Sequence, residues 1–218
     1  MATGPKRKQK KQSAETVDEI DGLPLYPQHC FKLSPTVNTY PHLLASDIDA
    51  LTTHSGFHGQ NLFFHLNHPI QWVRIAGIVV AVDEYPGRRI YTVDDSSGAC
   101  IECLVDVPRA DAALTAAVAV AKLDSMSNTK AGLATSAPRS VVPEEVDVGS
   151  IIDVKGGLSL FRGNKQIKIL KATILRSTEQ EVAFWEKTQK FRRDVLERPW
   201  KLTDKEVRRC RKEAERRK

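Results

Sequence analysis

The 218-residue sequence contains no run of about eighteen apolar residues, the length a helix needs to cross a bilayer. Its basic N-terminus is followed by no apolar segment of the secretory kind. These two absences predict a soluble, intracellular protein. Catalytic signatures are missing too, since there is no nucleophile elbow, no phosphate-binding glycine loop and no HExxH helix. Four cysteines are too few and too scattered for a disulfide framework. Cys100 and Cys103 have CxxC spacing, but on a strand those positions face opposite sides and no second pair completes a metal site. His54, His58, His65 and His68 lie in a Ser/Gly/Asn-rich loop with no carboxylate or cysteine at ligand spacing. Asp94-Asp95 stands in a Ser-Ser-Gly turn, where carboxylates satisfy turn amides. A non-catalytic protein without metal or cofactor is therefore expected.

What the sequence does contain is organised around Ile70 to Val105. Three β-branched runs, Val73 to Val82, Arg89 to Val93 and Ala99 to Val105, are separated by Glu84-Tyr85-Pro86-Gly87-Arg88 and Asp94-Asp95-Ser96-Ser97-Gly98. Strands broken by turn residues in this way predict an antiparallel meander. Val73, Ile75, Gly77, Val79 and Ala81 share one face, and the other face turns apolar at Ile78 and Val80, so the first strand is expected to be half wet at its start and buried later. Mid-strand Gly77 suggests a bulge or bend. Two further strand-like runs, Ser150 to Leu160 and Lys165 to Leu175, flank the hairpin turn Phe161-Arg162-Gly163-Asn164. Between meander and hairpin, Ala110 to Leu123 has helical propensity and Ser125 to Ser140 reads as a flexible loop. Three strands, an inserted helix and a two-strand hairpin give a mainly β fold, the five-stranded Greek-key barrel known as the OB-fold, followed by a C-terminal helix.

The net charge of +6 is unevenly distributed. Residues 1–12 hold five basic and no acidic groups, and 178–218 hold fourteen basic and nine acidic, whereas 69–177 are nearly neutral with thirteen and twelve. Any nucleic-acid contact on the barrel must therefore come from local clustering. The hairpin provides it: Lys155, Arg162, Lys165, Lys168, Lys171 and Arg176 occur with no acidic residue between Val154 and Thr178. OB-folds bind oligomers over strands 2 and 3 and through the loops joining strands 1 to 2 and 4 to 5. Arg74, Tyr91, Phe161, Arg162 and Lys165 are accordingly the expected DNA-binding residues, rings for base stacking with cations for phosphates; the alternative is a solvated outer face of strand lysines with Trp72 or Tyr91 in the core.

At the C-terminus Thr178 and Glu181 form a capping box, and Phe184, Thr188, Phe191 and Val195 follow at helical spacing beside Trp185, until Pro199 stops the helix. The barrel bottom can absorb part of that stripe, but three large aromatics exceed what one small barrel needs, so this helix is expected to bind a partner helix, the alternative being a helix docked wholly on its own barrel. Thr203 and Glu206 cap a second, strongly basic helix whose thin apolar row, Val207, Cys210 and Ala214, makes it marginal alone. Upstream, Ser46 is positioned to cap a short helix through Asp49 with Ile48 and Leu51 inward, and Lys6 to Lys11 fits a nuclear-import patch or nucleic-acid arm. The expected organisation is a disordered tail to residue 25, an N-terminal extension over 26–69, the barrel over 70–177 with its insertion at 106–149, the partner helix over 178–198, and a basic helical tail over 199–218.

These residues carry a family resemblance. Trp72-Val73-Arg74, Gly77-Ile78-Val79-Val80 and above all Tyr91-Thr92-Val93-Asp94-Asp95-Ser96-Ser97-Gly98 resemble the STN-type subunit of the telomere-capping CST complex in its fungal form. Tyr26-Pro27-Gln28-His29-Cys30-Phe31, Ser34-Pro35-Thr36 and Asn67-His68-Pro69-Ile70 are similar to that family too, and the likeness runs from about Tyr26 to Trp200. The Asp-Asp-Ser-Ser-Gly turn is shared with the middle subunit of replication protein A. The resemblance implies a nuclear, telomeric subunit whose C-terminal helix pairs with a small TEN-type OB-fold subunit. The pair joins a larger Cdc-thirteen or CTC-type subunit, protects single-stranded G-rich telomeric DNA, and recruits DNA polymerase α-primase. On that pattern Val182, Trp185 and Phe191 match the partner helix, and Tyr91, Phe161 and Arg162 the DNA face; Phe184 and Val195, from the apolar row read above, complete the expected partner-binding set. The alternatives are a replication protein A-like middle subunit and a purely structural interaction module.

Overall fold

A computed structural model describes residues 19–20, 22–107 and 141–216. Five strands close into a barrel: β1 (Trp72–Tyr85), β2 (Arg88–Asp94), β3 (Cys100–Asp106), β4 (Ile151–Phe161) and β5 (Asn164–Ile174). They are hydrogen-bonded in the order β1-β2-β3-β5-β4, closing on β1, and every pairing is antiparallel except β3 with β5. This is the OB-fold predicted from the order of runs and turns. The helices are α1 (Ala45–Asp49), α2 (Thr178–Phe191), which runs on into a single π turn at Arg192–Leu196, and α3 (Asp204–Glu215). The expected inserted helix at 110–123, the loop at 125–140 and the basic arm at 1–12 lie outside the described residues.

β1 is long enough to serve two neighbours. Its first half, Trp72 to Ile78, pairs with β4, and its second half, Ile78 to Tyr85, pairs with β2. The register slips between Val79 and Ala81, so the bulge falls beyond Gly77. Gly77 is required for another reason, because a Cβ there would collide with the Asp94 carbonyl at the end of β2. Ile78 and Val80, expected to be buried, are exposed on the outer face. The β1–β2 turn is Pro86-Gly87, with Gly87 at φ 85°, as a type II turn requires. The β4–β5 turn is Arg162-Gly163, with φ of 51° and 89°, the signature of a type I′ hairpin.

Inward residues of all five strands, among them Val73, Ile75, Tyr91, Val93, Cys103, Ile152, Val154 and Ile167, form the main core. Leu43, Ile48 and Leu51 enter it from α1 and its flanks. The Asp94-to-Gly98 turn seats α1: the Asp95 carboxylate accepts the Ala45 N–H at 2.7 Å, and the Ser97 hydroxyl accepts that of Ser46 at 3.1 Å. Asp94 and Asp95 also accept the turn amides of Ser96 and Ser97. The helix thus begins two residues earlier than the sequence suggests. Leu44 stands at the N-cap in place of Ser46, and its amide donates to Asp47 at 3.2 Å.

Distant segments build a second core from Leu25, Cys30, Phe31, Leu62, Phe64, Trp200 and Cys210. The strand Phe63–His65 divides the two cores, sending Phe63 to the barrel and Phe64 to the second cluster by simple alternation. The Asn67 side chain clamps Trp200 from both sides, donating to its carbonyl and accepting its N–H, each at 2.8 Å. The Leu202 N–H donates to the Tyr26 hydroxyl at 2.8 Å. α3 completes this unit with Cys210 and Val207, gaining a surface that its thin apolar row needs.

Candidate nucleic-acid groove and partner helix

The β1–β2 and β4–β5 turns converge on one rim of the barrel. There Tyr85, Arg88, Phe161, Arg162, Asn164 and Gln166 line a groove of about 330 Å³, floored by Ile90 and Leu104. The Arg162 guanidinium lies 5.2 Å from the centre of the Phe161 ring, and that of Arg88 lies 5.7 Å from Tyr85. Each turn therefore presents a ring with a cation over it, the pair of groups that a stacked base and its phosphate require. Phe161 is 46% exposed although it is a large apolar residue. Arg162 holds a left-handed φ that costs a non-glycine residue about 1 kcal/mol. Glu102 also faces the groove, where it accepts a hydrogen bond from Gln166, so the groove is amphoteric.

The remaining residues expected on this face are elsewhere. Tyr91 is 1% exposed and fills the barrel core, which removes its ring from stacking; its position on β2 is an inward one. Arg74 forms a two-pronged ion pair with Asp153, at 2.8 Å and 2.6 Å, and lies 5.7 Å from the Phe184 ring. That pair satisfies a buried carboxylate and holds α2, so Arg74 is a structural cation. The Lys165 ammonium donates to the Asp49 carbonyl at 2.6 Å, tying β5 to the end of α1. Tyr85 and Arg88 went unpredicted, although their signal was present: the first of the two binding loops was read only as a turn.

α2 divides into two rows. Phe184 is 6% exposed, against His42 at 5.0 Å and against Arg74, and Thr188 is buried with it. Phe191 packs on the main core, and Val195 is half-buried on the π turn. Phe184 and Phe191, expected to meet a partner, are taken up by the chain's own fold, because the i, i+4, i+7 row is the one that faces inward. Val182 and Trp185 project outward, 45% and 49% exposed. Trp185 shares a cleft with Ile78 and Ile151, rimmed by Asp94, Asp95 and Glu181. Exposed Ile78 is the strand residue that joins this apolar surface. The π turn also points Arg192 at Asp47, 2.8 Å away, fastening α2 to α1. Beneath α2, burial and the neighbouring Arg74 push the His42 imidazole down to about 4. Cys100 is exposed and Cys103 buried, on opposite faces of β3 as their spacing predicts.

A closed five-stranded barrel with an aromatic and cationic loop rim, and with a helix leaving an apolar row free, defines an OB-fold binding protein. Within that class the chain resembles the Stn1 family: residues 15–121 match the family model described as telomere regulation protein Stn1. It is 22% identical over 161 residues to protein stn1 of Schizosaccharomyces pombe, covering 74% of this chain and 41% of that one. To the CST complex subunit STN1 of Bos taurus it is 34% identical over 112 residues, covering 50% of this chain and 29% of that protein. The chain thus spans less than half the length of these curated relatives. The crystal structure of yeast Stn1 and Ten1 matches with a TM-score of 0.61 at 18% identity, over 85% of this chain and 89% of that one, which speaks for a shared fold.

Proposed function

We propose that the chain is a non-catalytic, nuclear subunit acting at telomeres, with two binding surfaces on one barrel. Through Val182, Trp185 and Ile78 it pairs with a small TEN-type OB-fold subunit, and that pair joins a larger Cdc-thirteen or CTC-type subunit. Through Tyr85, Arg88, Phe161 and Arg162 it touches single-stranded G-rich DNA, assisting protection of the overhang and fill-in synthesis by DNA polymerase α-primase. The observation that carries the DNA reading is the pair of ring-and-arginine couples facing one groove, one of them on a strained hairpin position. Family likeness supports the telomeric setting, and the exposed outer row of α2 supports the partner.

Fluorescence anisotropy with telomeric single strands tests the first surface, using the complex with its small partner. Alanine at both Phe161 and Arg162 is expected to weaken binding at least tenfold. Undiminished binding would reject the groove and leave the purely structural module, a reading that the nearly neutral barrel and groove-facing Glu102 favour. Equal affinity for telomeric and unrelated strands would favour the replication protein A-like reading. Light scattering of the co-expressed pair tests the second surface, where Trp185→Ala is expected to dissociate a 1:1 complex while leaving the chain folded.

A further inference from the structure

α3 has a cationic face for which neither the barrel nor the second core has a use. Lys205, Arg208, Arg209, Lys212 and Arg216 line one shallow groove along the helix. At about 100° per residue their directions fall within roughly 60° of one line, opposite the Cys210 and Val207 side that is packed inward. From Lys205 to Arg216 the stripe runs about 16 Å at 1.5 Å per residue. The helix is not cationic all round, and Asp204 and Glu213 share the lining of the groove. Of its acids, Glu206 accepts from Thr203, Glu213 pairs with Lys32 and Arg209, and Glu215 pairs with Arg211, so Asp204 at the first helical position is the one carboxylate that offsets the stripe. Among the described residues, Lys205, Arg208, Lys212 and Arg216 have no carboxylate within ion-pair distance. Four free cations in a row on a docked, capped helix are a pre-set charge template.

The stripe carries no aromatic and no exposed aliphatic residue, so it lacks the anchors on which protein interfaces depend. Its chemistry suits phosphates, which need only spaced cations. A series of neighbouring segments links the groove to the stripe. Leu160, next to Phe161, lies with His54, Phe57 and His58. Further along the same loop Gln60 accepts from Gln28 at 3.2 Å, and the turn Gln28–Leu33 meets α3 through Lys32. We propose that α3 is a second nucleic-acid contact, a phosphate-tracking stripe that takes the backbone of single-stranded DNA after it leaves the barrel groove. This inference rests on the groove reading above and extends it to a longer strand.

The test uses the full chain and oligonucleotides of about 8 and about 30 nucleotides, the shorter within the site size of one OB-fold. Affinities are measured across a salt series for the wild type and for Lys205→Gln, Arg208→Gln, Lys212→Gln and Arg216→Gln combined. These side chains are exposed, so the variant keeps its fold, which circular dichroism verifies. The expected result is an unchanged short-strand affinity, a long-strand affinity at least tenfold weaker, and a salt slope smaller by about 2–3, at about 0.7 per phosphate contact. Unchanged long-strand affinity and slope would overturn the proposal, as would equal losses on both lengths. An equal loss on blunt duplex would overturn the assignment to single strands. A groove variant, Phe161→Ala with Arg162→Ala, separates the two readings. If it spares the short strand while the α3 variant still lowers the long-strand slope, the groove fails and the helix stands.

Discussion

Arg74 lies 5.7 Å from the centre of Phe184, and Arg162 lies 5.2 Å from that of Phe161, yet the two couples serve opposite ends. The first is closed in by α2 and anchored on Asp153, with both partners committed to the fold. The second stands on a hairpin tip in open solvent, with no carboxylate within ion-pair distance among the described residues, on a backbone that would prefer glycine or asparagine. Residue type and contact distance are nearly the same in both. What differs is whether the protein has already used the cation, and only an unused cation can be offered to a ligand.

The sharpest break of this comparison is expected in α2 itself. Phe184→Ala should lower stability by about 3 kcal/mol in urea unfolding, whereas Trp185→Ala, one residue along, should change it by less than about 0.5 kcal/mol. Equal losses would mean that the two rows are not distinct. Next in size, Arg74→Ala should cost about 2 kcal/mol by leaving Asp153 buried without its cation, with DNA affinity unaltered. Phe161→Ala should leave the urea midpoint alone and weaken single-strand binding by about 1–2 kcal/mol. Arg162→Gly is expected to raise stability by about 0.5–1 kcal/mol while weakening binding, the mark of strain held for function.

The smallest effect is a pH dependence at His42. Its folded value near 4 lies below the 6.5 of the unfolded chain. Between those values the unfolded state binds the extra proton, so the His42 contribution is present above pH 6.5 and lost as pH falls toward 4. In thermal melts over that window His42→Phe should flatten the slope; an unchanged slope would show that His42 does not titrate there.

The barrel was legible because β-branched runs and turn residues are local signals. Both hairpin turns, the order of strands and the exposed Phe161 follow from short stretches of chain. The division of α2 was half legible: the i, i+4, i+7 row was visible, but spacing cannot say whether such a row meets its own barrel or another chain. Tyr91 and Arg74 were misassigned for a related reason. An aromatic on a strand is equally suited to the core and to a binding face, and an arginine on a strand is free only if no carboxylate arrives from elsewhere in the chain. Here Asp153 arrives from β4, seventy-nine positions away.

By itself the sequence determined the strands, their turns, the Thr203–Glu206 cap of α3 and where positive charge accumulates, all properties of neighbouring residues along the chain; the cap of α2 falls on Ser177, one residue before the expected Thr178, and that of α1 on Leu44. The tertiary structure alone decided which cations are used up, which row of α2 is left outward, and that Cys30, Phe64, Trp200 and Cys210 make a second core. Those outcomes depend on pairings between segments far apart in the chain, and no local preference encodes them. Burial and ion pairing are set by what the whole fold brings together.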